Sequence, residues 1–163
     1  MWYVIWTSTG SERKAKEAIE CLVDRSFVPQ KAISIKREGE WKTTDKPLFP
    51  GYLFVDTEDA EELAQKLRKI EGFTQILTTD KKFFPLYGND ANFVEKLYNG
   101  GGVFDMSEGY IEGDLVRVTA GPLFGLEGLI KKIDRHKRIA CLEFDMFGRV
   151  VNTTVGLEIT EKR

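Results

Sequence analysis

The chain has few of the residues on which metal sites and disulfide frameworks depend. Its 163 residues include 2 cysteines and 1 histidine, and Cys21 and Cys141 lack the short spacing of a metal-binding pair. Two separated cysteines fit a reducing compartment. No stretch approaches the roughly 18 apolar residues of a membrane-spanning helix, and the strand-like start lacks the features of a signal peptide. We therefore expect a cytoplasmic protein that binds no metal and no membrane.

Catalytic motifs are missing from the sequence as well. It contains no glycine-rich phosphate loop followed by a helix and no cluster of His, Cys and Asp with ligand spacing. Carboxylate pairs such as Glu58-Asp59 and Glu61-Glu62 lie on the exposed face of a predicted helix, where solvation is the simplest explanation. We therefore expect no enzyme activity, no catalytic residue and no cofactor.

The charge of the chain is informative in its distribution. The 24 basic residues stand against 26 acidic ones, for a formal charge of −2. Five of the basic residues nevertheless lie within the eight residues KKIDRHKR that begin at Lys131. Local clustering of this kind, and not net charge, indicates contact with a polyanion such as nucleic acid.

Strand and helix periods alternate through the first 98 residues. Strands are predicted at residues 2–6, 28–35, 48–55 and 73–77, and helices at 11–24, 58–69 and 93–98. Ser11 is placed to cap the first helix, and a hairpin turn is expected near Gly39. This order predicts an antiparallel sheet backed by helices, an α/β sandwich.

The C-terminal part is punctuated by glycine. Residues 99–112 show no periodicity and predict a flexible linker. After them, the run GDLVRVTAGPLFGLEGLI, which begins at Gly113, sets glycines between short alternating apolar stretches, as in a small, tightly turned β-barrel. The predicted fold class is α+β, with a sandwich at 1–98, a linker at 99–112 and an all-β domain at 113–163.

Four motifs resemble those of a known protein family. The N-terminal WYVIWTSTGSE and the central LFPGYLFV resemble the N-terminal domain of the NusG family of bacterial transcription elongation factors. The glycine-rich run is similar to the KOW motif, which forms an SH3-like barrel in transcription and ribosomal proteins. Phe147-Gly148-Arg149 matches the way in which the family ends its KOW domain. The resemblance covers nearly the whole chain in the order of the family.

The resemblance implies that the N-terminal domain binds RNA polymerase. In the family this domain docks on the clamp helices of the largest polymerase subunit and favours processive elongation. Carried over by motif, the docking residues here are Phe49, Tyr52 and Phe54, with Trp6 and Phe84 as further candidates. Tyr52 and Phe54 have the same parity on one strand and therefore share a face. An ordinary core position is the alternative for these aromatic side chains. We expect the protein to act as a monomer.

The resemblance leaves two classes of partner open for the KOW domain. General family members contact ribosomal protein S10 or termination factor Rho through the surface that here contains Phe147 and Arg149. The stronger basic run resembles the specialised LoaP-type antiterminators, whose KOW domain is linked to a structured RNA in the nascent leader. The candidate nucleic-acid-binding residues are Lys131, Lys132, Arg135, His136, Lys137, Arg138 and Arg149. A solvated basic turn without a partner is the alternative.

Two other classes of protein share part of the pattern. The order of the N-terminal elements is similar to that of an RNA-recognition motif, but the RNP1-type consensus is absent. Ribosomal KOW proteins are usually far more basic than −2. The sequence therefore favours a NusG-type processive antitermination factor that binds RNA polymerase and an RNA hairpin, with a general elongation factor as the alternative.

Overall fold

The chain packs as two compact units in the computed structural model, which describes residues 1–70, 75–79, 81–146 and 148–163. The first unit contains Met1–Pro29 and Phe49–Gly102, and the second contains Gln30–Leu48 and Val103–Arg163. The second unit therefore combines a segment from the N-terminal half of the chain with the C-terminal third.

The described helices and strands follow one another in this order: β1 (Trp2–Trp6), α1 (Glu12–Ile19), β2 (Arg25–Phe27), β3 (Gln30–Arg37), β4 (Glu40–Pro47), β5 (Tyr52–Asp56), α2 (Ala60–Leu67), β6 (Gln75–Ile76), β7 (Thr78–Thr79), β8 (Lys82–Phe83), α3 (Gly88–Asn99), β9 (Val103–Phe104), β10 (Ser107–Glu112), β11 (Leu115–Ala120), β12 (Ile130–Asp134), β13 (Ile139–Met146) and β14 (Arg149–Lys162). A short 3-10 helix at Glu127–Leu129 precedes β12.

The first unit has the predicted antiparallel sheet with helices. Its sheet has the strand order β2-β5-β1-β6, and every pair within it is antiparallel. The apolar faces of α1 and α2 are buried against one side of this sheet, in a cluster of Tyr3, Ile5, Ala15, Ile19, Leu53, Val55, Ala60, Leu63, Leu67 and Ile76. In α2, the Asp59 carboxylate accepts a hydrogen bond from the Glu62 amide at 3.0 Å, which satisfies one of the open N–H groups of the first turn.

The prediction for the first helix is wrong at its C-terminal end. The helix stops at Ile19 and not at Asp24, because the Leu22 amide donates to the Ile19 carbonyl at 2.7 Å and closes a tight turn that leads into β2. Ser11 precedes the helix as predicted, but its side chain makes no capping hydrogen bond. The third helix, in contrast, is longer than predicted and begins at Gly88.

Two predicted strands begin later than predicted, after turn residues. The strand predicted at 28–35 is β3, which begins at Gln30, directly after Pro29, a residue without an N–H for strand pairing. The short strand β2, before Pro29, was not predicted. The strand predicted at 48–55 begins only at Tyr52. Gly51 has a φ of 88°, and the Tyr52 amide donates to the Phe49 carbonyl at 3.0 Å, so the residues before Tyr52 form a turn. The strand predicted at 73–77 is β6 in part, and residues 73–74 lie outside the described residues.

The hairpin of β3 and β4 confirms the predicted turn near Gly39. The two strands pair from Gln30 with Pro47 to Arg37 with Glu40, so the loop has only two residues. Glu38 and Gly39 have φ values of 52° and 79°, the left-handed conformation that both residues of a type I′ turn require. This hairpin belongs to the second unit.

The second unit is built from strands, as the sequence predicts for residues 113–163. Its larger described sheet has the order β11-β10-β14-β13-β12, and its smaller sheet has the order β4-β3-β9. Val118, Leu123, Leu142 and Leu157 are among its buried residues. Closure of the larger sheet into an SH3-like barrel stays a prediction.

The linker prediction for 99–112 is wrong for part of that segment. Residues 107–112 form β10, which pairs with β11 and, in parallel, with β14. Gly109 interrupts the alternation of apolar and polar side chains by which this strand could have been predicted. A Cβ atom at this position would lie 2.4 Å from the Arg117 carbonyl oxygen. The close approach of two backbones explains why a glycine stands within the strand.

Candidate functional site

Three of the aromatic docking candidates lie on the paired strands β1 and β5. Tyr52 is directly opposite Trp6 of β1, and Phe54 is opposite Val4. Residues that are opposite each other in an antiparallel pair point to the same face, so Tyr52, Phe54 and Trp6 share one face of the sheet. This face is the reverse of the one that carries Leu53 and Val55 against α1 and α2. Tyr52 and Phe54 therefore point to the same face of the sheet, as their spacing predicts.

Two of the docking candidates are buried. Phe49 and Phe54 are 1% and 0% exposed, and their ring centroids lie 6.4 Å apart in an edge-to-face arrangement. Phe54 also lies 5.5 Å from Phe27, which in turn lies 5.5 Å from Tyr98 of α3. Aromatic contacts of this kind stabilise a core. The side chains of Phe49 and Phe54 therefore occupy core positions and do not line an accessible surface in this structure.

The other docking candidates are accessible. Trp6 is 38% exposed and Phe84 is 53% exposed, while Tyr52 is half-buried. Tyr87, which the family motifs do not include, is 82% exposed just before α3. The sequence FFPLYG, in which aromatic residues stand next to a proline and a glycine, is the feature from which a loop with exposed aromatic side chains could have been predicted. Exposed aromatic side chains are frequent anchors of protein interfaces.

A buried carboxylate holds the turn that precedes β5. Glu12, the first residue of α1, is 5% exposed. Its Oε1 accepts from the Gly51 amide at 2.7 Å, and its Oε2 accepts from the Gly10 amide at 2.9 Å. The Thr7 amide donates to the Gly51 carbonyl at 2.8 Å. The end of β1, the start of α1 and the Phe-Pro-Gly-Tyr turn are therefore joined around one side chain.

The basic segment, residues 131–138, lies on β12 and the turn that connects it to β13. Lys131, Lys132, Arg135, His136 and Lys137 are exposed. The pairing register shifts between Ile130 and Lys132, so Lys131 lies at a β-bulge. Bulges redirect side chains at sheet edges, and this one presents two consecutive lysines to solvent.

The turn at the end of the basic segment is ordered by an acidic side chain. The Lys137 amide donates to Asp134 Oδ1 at 3.0 Å. This backbone hydrogen bond is the main cause that lowers the pKa of Asp134, with a further contribution from the charge of Lys137. The carboxylate therefore stays ionised and holds the turn, as Asp side chains commonly do.

Arg138 differs from the other cations of the basic segment. It is only half-buried, yet its guanidinium carbon lies 4.0 Å from the ring centroid of Trp41. Its Nη1 lies 3.8 Å from Glu158 Oε1. Its backbone has a φ of 57°. Arg138 therefore contacts the protein, whereas the other cations of the basic segment are exposed.

Arg149, a further candidate, is the first residue of β14. Arg149 is exposed and pairs with Met146. Phe147 lies outside the described residues. Gly148 between them has a φ of 68°, a conformation that glycine adopts readily.

One lysine of the second unit is buried, which no sequence pattern predicted. Lys31 of β3 is 8% exposed, and its Nζ donates to Thr154 Oγ1 at 2.9 Å. Burial lowers the pKa of Lys31, and the nearby charge of Lys46 lowers it further. The hairpin of β3 and β4 is therefore joined to β14 through a desolvated ammonium group.

In the part of the chain that the structure describes, no three His, Cys, Asp or Glu residues are grouped so that they could hold a metal ion. Among the described residues, no helix has the length and apolar character needed to cross a membrane.

Models of two known families match parts of this chain. A family model described as transcription termination factor nusG matches residues 1–95, and a KOW motif model matches residues 112–151. The solved structure described as "Domain interaction in Thermotoga maritima NusG" covers 95% of this chain and 92% of that chain, with a TM-score of 0.53 and 21% identity. At this identity the structural likeness concerns the fold.

Relatives match the chain over almost its full length. The transcription termination/antitermination protein NusG of Helicobacter pylori is 27% identical over 96% of this chain and 93% of that protein. The proteins of the same name from Campylobacter jejuni and Staphylococcus aureus are 28% and 26% identical, each over 99% of this chain and over 96% and 94% of their own lengths. With the family model matching more than half of its residues, the chain belongs to the NusG family of transcription termination and antitermination factors.

Proposed function

We propose that this NusG-family protein is a specialised processive antitermination factor, similar to the LoaP type, that binds a leader RNA hairpin through its basic segment. The observation that carries the proposal is the set of four exposed cations Lys131, Lys132, Arg135 and Lys137. None of the four forms an ion pair with a described residue. Their charge is therefore available to an external polyanion.

The physical character of RNA fits this surface. The deep, narrow major groove of helical RNA is hard for side chains to enter, so RNA helices are recognised largely by shape and backbone. Lysine contacts phosphate as a point charge, whereas Arg135 can form two parallel hydrogen bonds to a phosphate or a guanine edge. Neutralisation of about four duplex phosphates gives log affinity a slope of roughly −3 to −4 against log salt.

We propose RNA polymerase as the partner of the first unit, through the clamp helices of its largest subunit. The accessible aromatic side chains of Trp6, Tyr52 and Phe84 support this proposal. Trp6 and Tyr52 lie on one sheet face, Phe84 is exposed in the same unit, and aromatic residues are enriched among the side chains that dominate binding energy. The limits 1–98 for the polymerase-binding domain and 113–163 for the KOW barrel are part of this proposal; the linker predicted at 99–112 is not, because residues 107–112 form β10. We further propose that the protein acts in the cytoplasm as a monomer; its cysteines, Cys21 and Cys141, are both free thiols.

The RNA part is tested with full-length protein and a pool of RNA hairpins with randomised sequence. Wild-type protein is expected to enrich a hairpin, and the fourfold change Lys131→Ala, Lys132→Ala, Arg135→Ala and Lys137→Ala is expected to abolish its binding. A control variant removes four exposed charges elsewhere, by Arg13→Ala, Lys14→Ala, Arg68→Ala and Lys69→Ala. Equal loss of RNA binding in both variants would show that only the net charge of the protein matters, and would contradict a specific RNA-binding site at the basic segment.

A general NusG function is the second candidate. It is favoured by the named relatives, which match over nearly the full chain, and by the exposure of Arg149. In this case the surface that contains Phe147 and Arg149 would bind ribosomal protein S10 or Rho. Pull-down with purified S10 and Rho distinguishes the two candidates: retention of either protein, lost on Arg149→Ala, together with no RNA enrichment, supports the general function.

A further inference from the structure

Two turns of the second unit meet at one aromatic side chain. Arg138 is the last residue of the turn between β12 and β13, and its guanidinium carbon lies 4.0 Å from the ring centroid of Trp41. Trp41 is the second residue of β4, directly beyond the Glu38-Gly39 turn. The contact therefore brings the tip of the β3–β4 hairpin to the edge of the basic segment.

Several contacts along the hairpin hold it in this position. Lys31 Nζ donates to Thr154 Oγ1 at 2.9 Å, and Ser34 Oγ lies 3.8 Å from Met106 Sδ. Gly156 of β14 allows a close approach, since a Cβ atom there would lie 2.9 Å from the Ala32 carbonyl oxygen. The position of the tip thus depends on backbone packing as well as on Arg138.

One cation of the hairpin is on the same side as this contact. Lys36 is directly opposite Trp41 in the strand register, so the two side chains lie on one face of the hairpin. Lys42 follows Trp41 and therefore lies on the opposite face. Both lysines are exposed, and neither forms an ion pair with a described residue. Lys36 is therefore adjacent to the basic segment, whereas Lys42 has the same charge on the far face.

We propose that Lys36 extends the RNA-binding surface of the basic segment, so that one phosphate backbone is contacted from two hairpins. This inference rests on the proposed RNA-binding function. A lysine contact to phosphate positions the nucleic acid but carries no base information. Lys36 thus adds affinity and salt dependence, and it leaves the sequence preference of the protein unchanged.

The experiment uses full-length protein and an RNA hairpin enriched by the wild-type chain from the randomised pool. Dissociation constants are measured at several salt concentrations for Lys36→Ala and for the matched control Lys42→Ala. Loss of one phosphate contact weakens binding about eightfold at about 0.1 M salt and makes the salt slope about 0.9 less steep. We expect this result for Lys36→Ala, and wild-type values for Lys42→Ala and Lys36→Arg.

The outcomes separate this inference from the function on which it rests. Equal effects of Lys36→Ala and Lys42→Ala, or no effect of either, overturn the role of Lys36, while the fourfold variant of the basic segment still tests RNA binding. If the wild-type chain enriches no RNA from the pool, both the RNA-binding function and the role of Lys36 are overturned.

Discussion

The guanidinium carbon of Arg138 lies 4.0 Å from the ring centroid of Trp41, although the two residues come from opposite halves of the sequence. Both belong to the second unit. A cation over an indole ring is attracted by the negative face of the ring. This contact joins the β3–β4 hairpin to the basic segment and reduces the number of cations that the segment offers to a ligand.

The energy of the Arg138–Trp41 contact is measurable by a double-mutant cycle. We expect Trp41→Leu and Arg138→Met each to lower the free energy of unfolding, with a coupling energy of about 0.5–2 kcal/mol between them. Urea denaturation of the wild type, the two single variants and the double variant gives this value. Additive effects would show that the stacked geometry contributes nothing to stability.

Glu12 is expected to be important for stability although it is charged. Glu12→Ala leaves the buried Gly51 amide without its acceptor, and an unsatisfied buried donor costs about 1–3 kcal/mol. Glu17→Ala, at an exposed position of the same helix, is the control and should change stability by less than about 0.5 kcal/mol. The measurement is urea denaturation, and equal effects of the two changes would contradict the role of Glu12.

The stability of the first unit is expected to fall in acid. Burial alone would raise the pKa of Asp56, but hydrogen bonds from the N-terminal amine and from Arg25 outweigh it and hold the pKa below its usual value. A carboxyl group whose pKa is lower in the folded state stabilises the fold above its unfolded pKa, near 3.9. That stabilisation is lost as the pH falls through the lower folded pKa.

Asp56→Asn tests this assignment. Thermal unfolding followed at pH values between about 2 and 6 should show a weaker pH dependence in the variant than in the wild type, because the variant lacks the titrating group. The variant should also be less stable near neutral pH, where the Asp56 carboxylate pairs with Arg25 at 2.7 Å. An unchanged pH profile would assign the acid sensitivity to other carboxyl groups.

Polymerase binding is expected to depend on the accessible aromatic side chains of the first unit. Trp6→Ala, Tyr52→Ala and Phe84→Ala should each weaken binding of the full chain to core RNA polymerase by about tenfold or more, as for residues that anchor an interface. Lys14→Ala is the control, since Lys14 is exposed on α1, which packs on the opposite side of the sheet. Binding that is unchanged in all three variants, or equally reduced in the control, would contradict the proposed surface.

Phe49 and Phe54 are unsuitable for the same binding experiment. Both are buried, and a Phe→Ala change in a core costs about 3–5 kcal/mol. A loss of polymerase binding in such variants would therefore reflect partial unfolding. This is why binding is best tested at the exposed positions.

Local features of the fold were predictable because neighbouring residues determine them. The turn predicted near Gly39 is formed by Glu38 and Gly39, both in the left-handed conformation. The strand Trp2–Trp6 and the buried positions of α2 followed from periodicity alone. In each case the decisive interactions lie within a few positions along the chain.

Other features could not be predicted because they depend on distant parts of the chain. Residues 107–112 have a weak pattern of their own, but they pair with β11 and β14. The exposure of Trp6 and the burial of Phe54 also escaped prediction, since both are aromatic residues on the same sheet face. Burial is decided by what packs on a face, and alternation indicates only which face a residue lies on.

The sequence by itself determined the family motifs, the predominance of strands in the C-terminal part and the cluster of five basic residues, because each depends on residues that are close along the chain. Only the tertiary structure decided that Arg138 contacts Trp41, that Glu12 holds the turn at Gly51, and that Lys36 shares one face of its hairpin with Trp41. These relationships join positions separated by many residues, and they exist only once strand pairing and burial have brought those positions together.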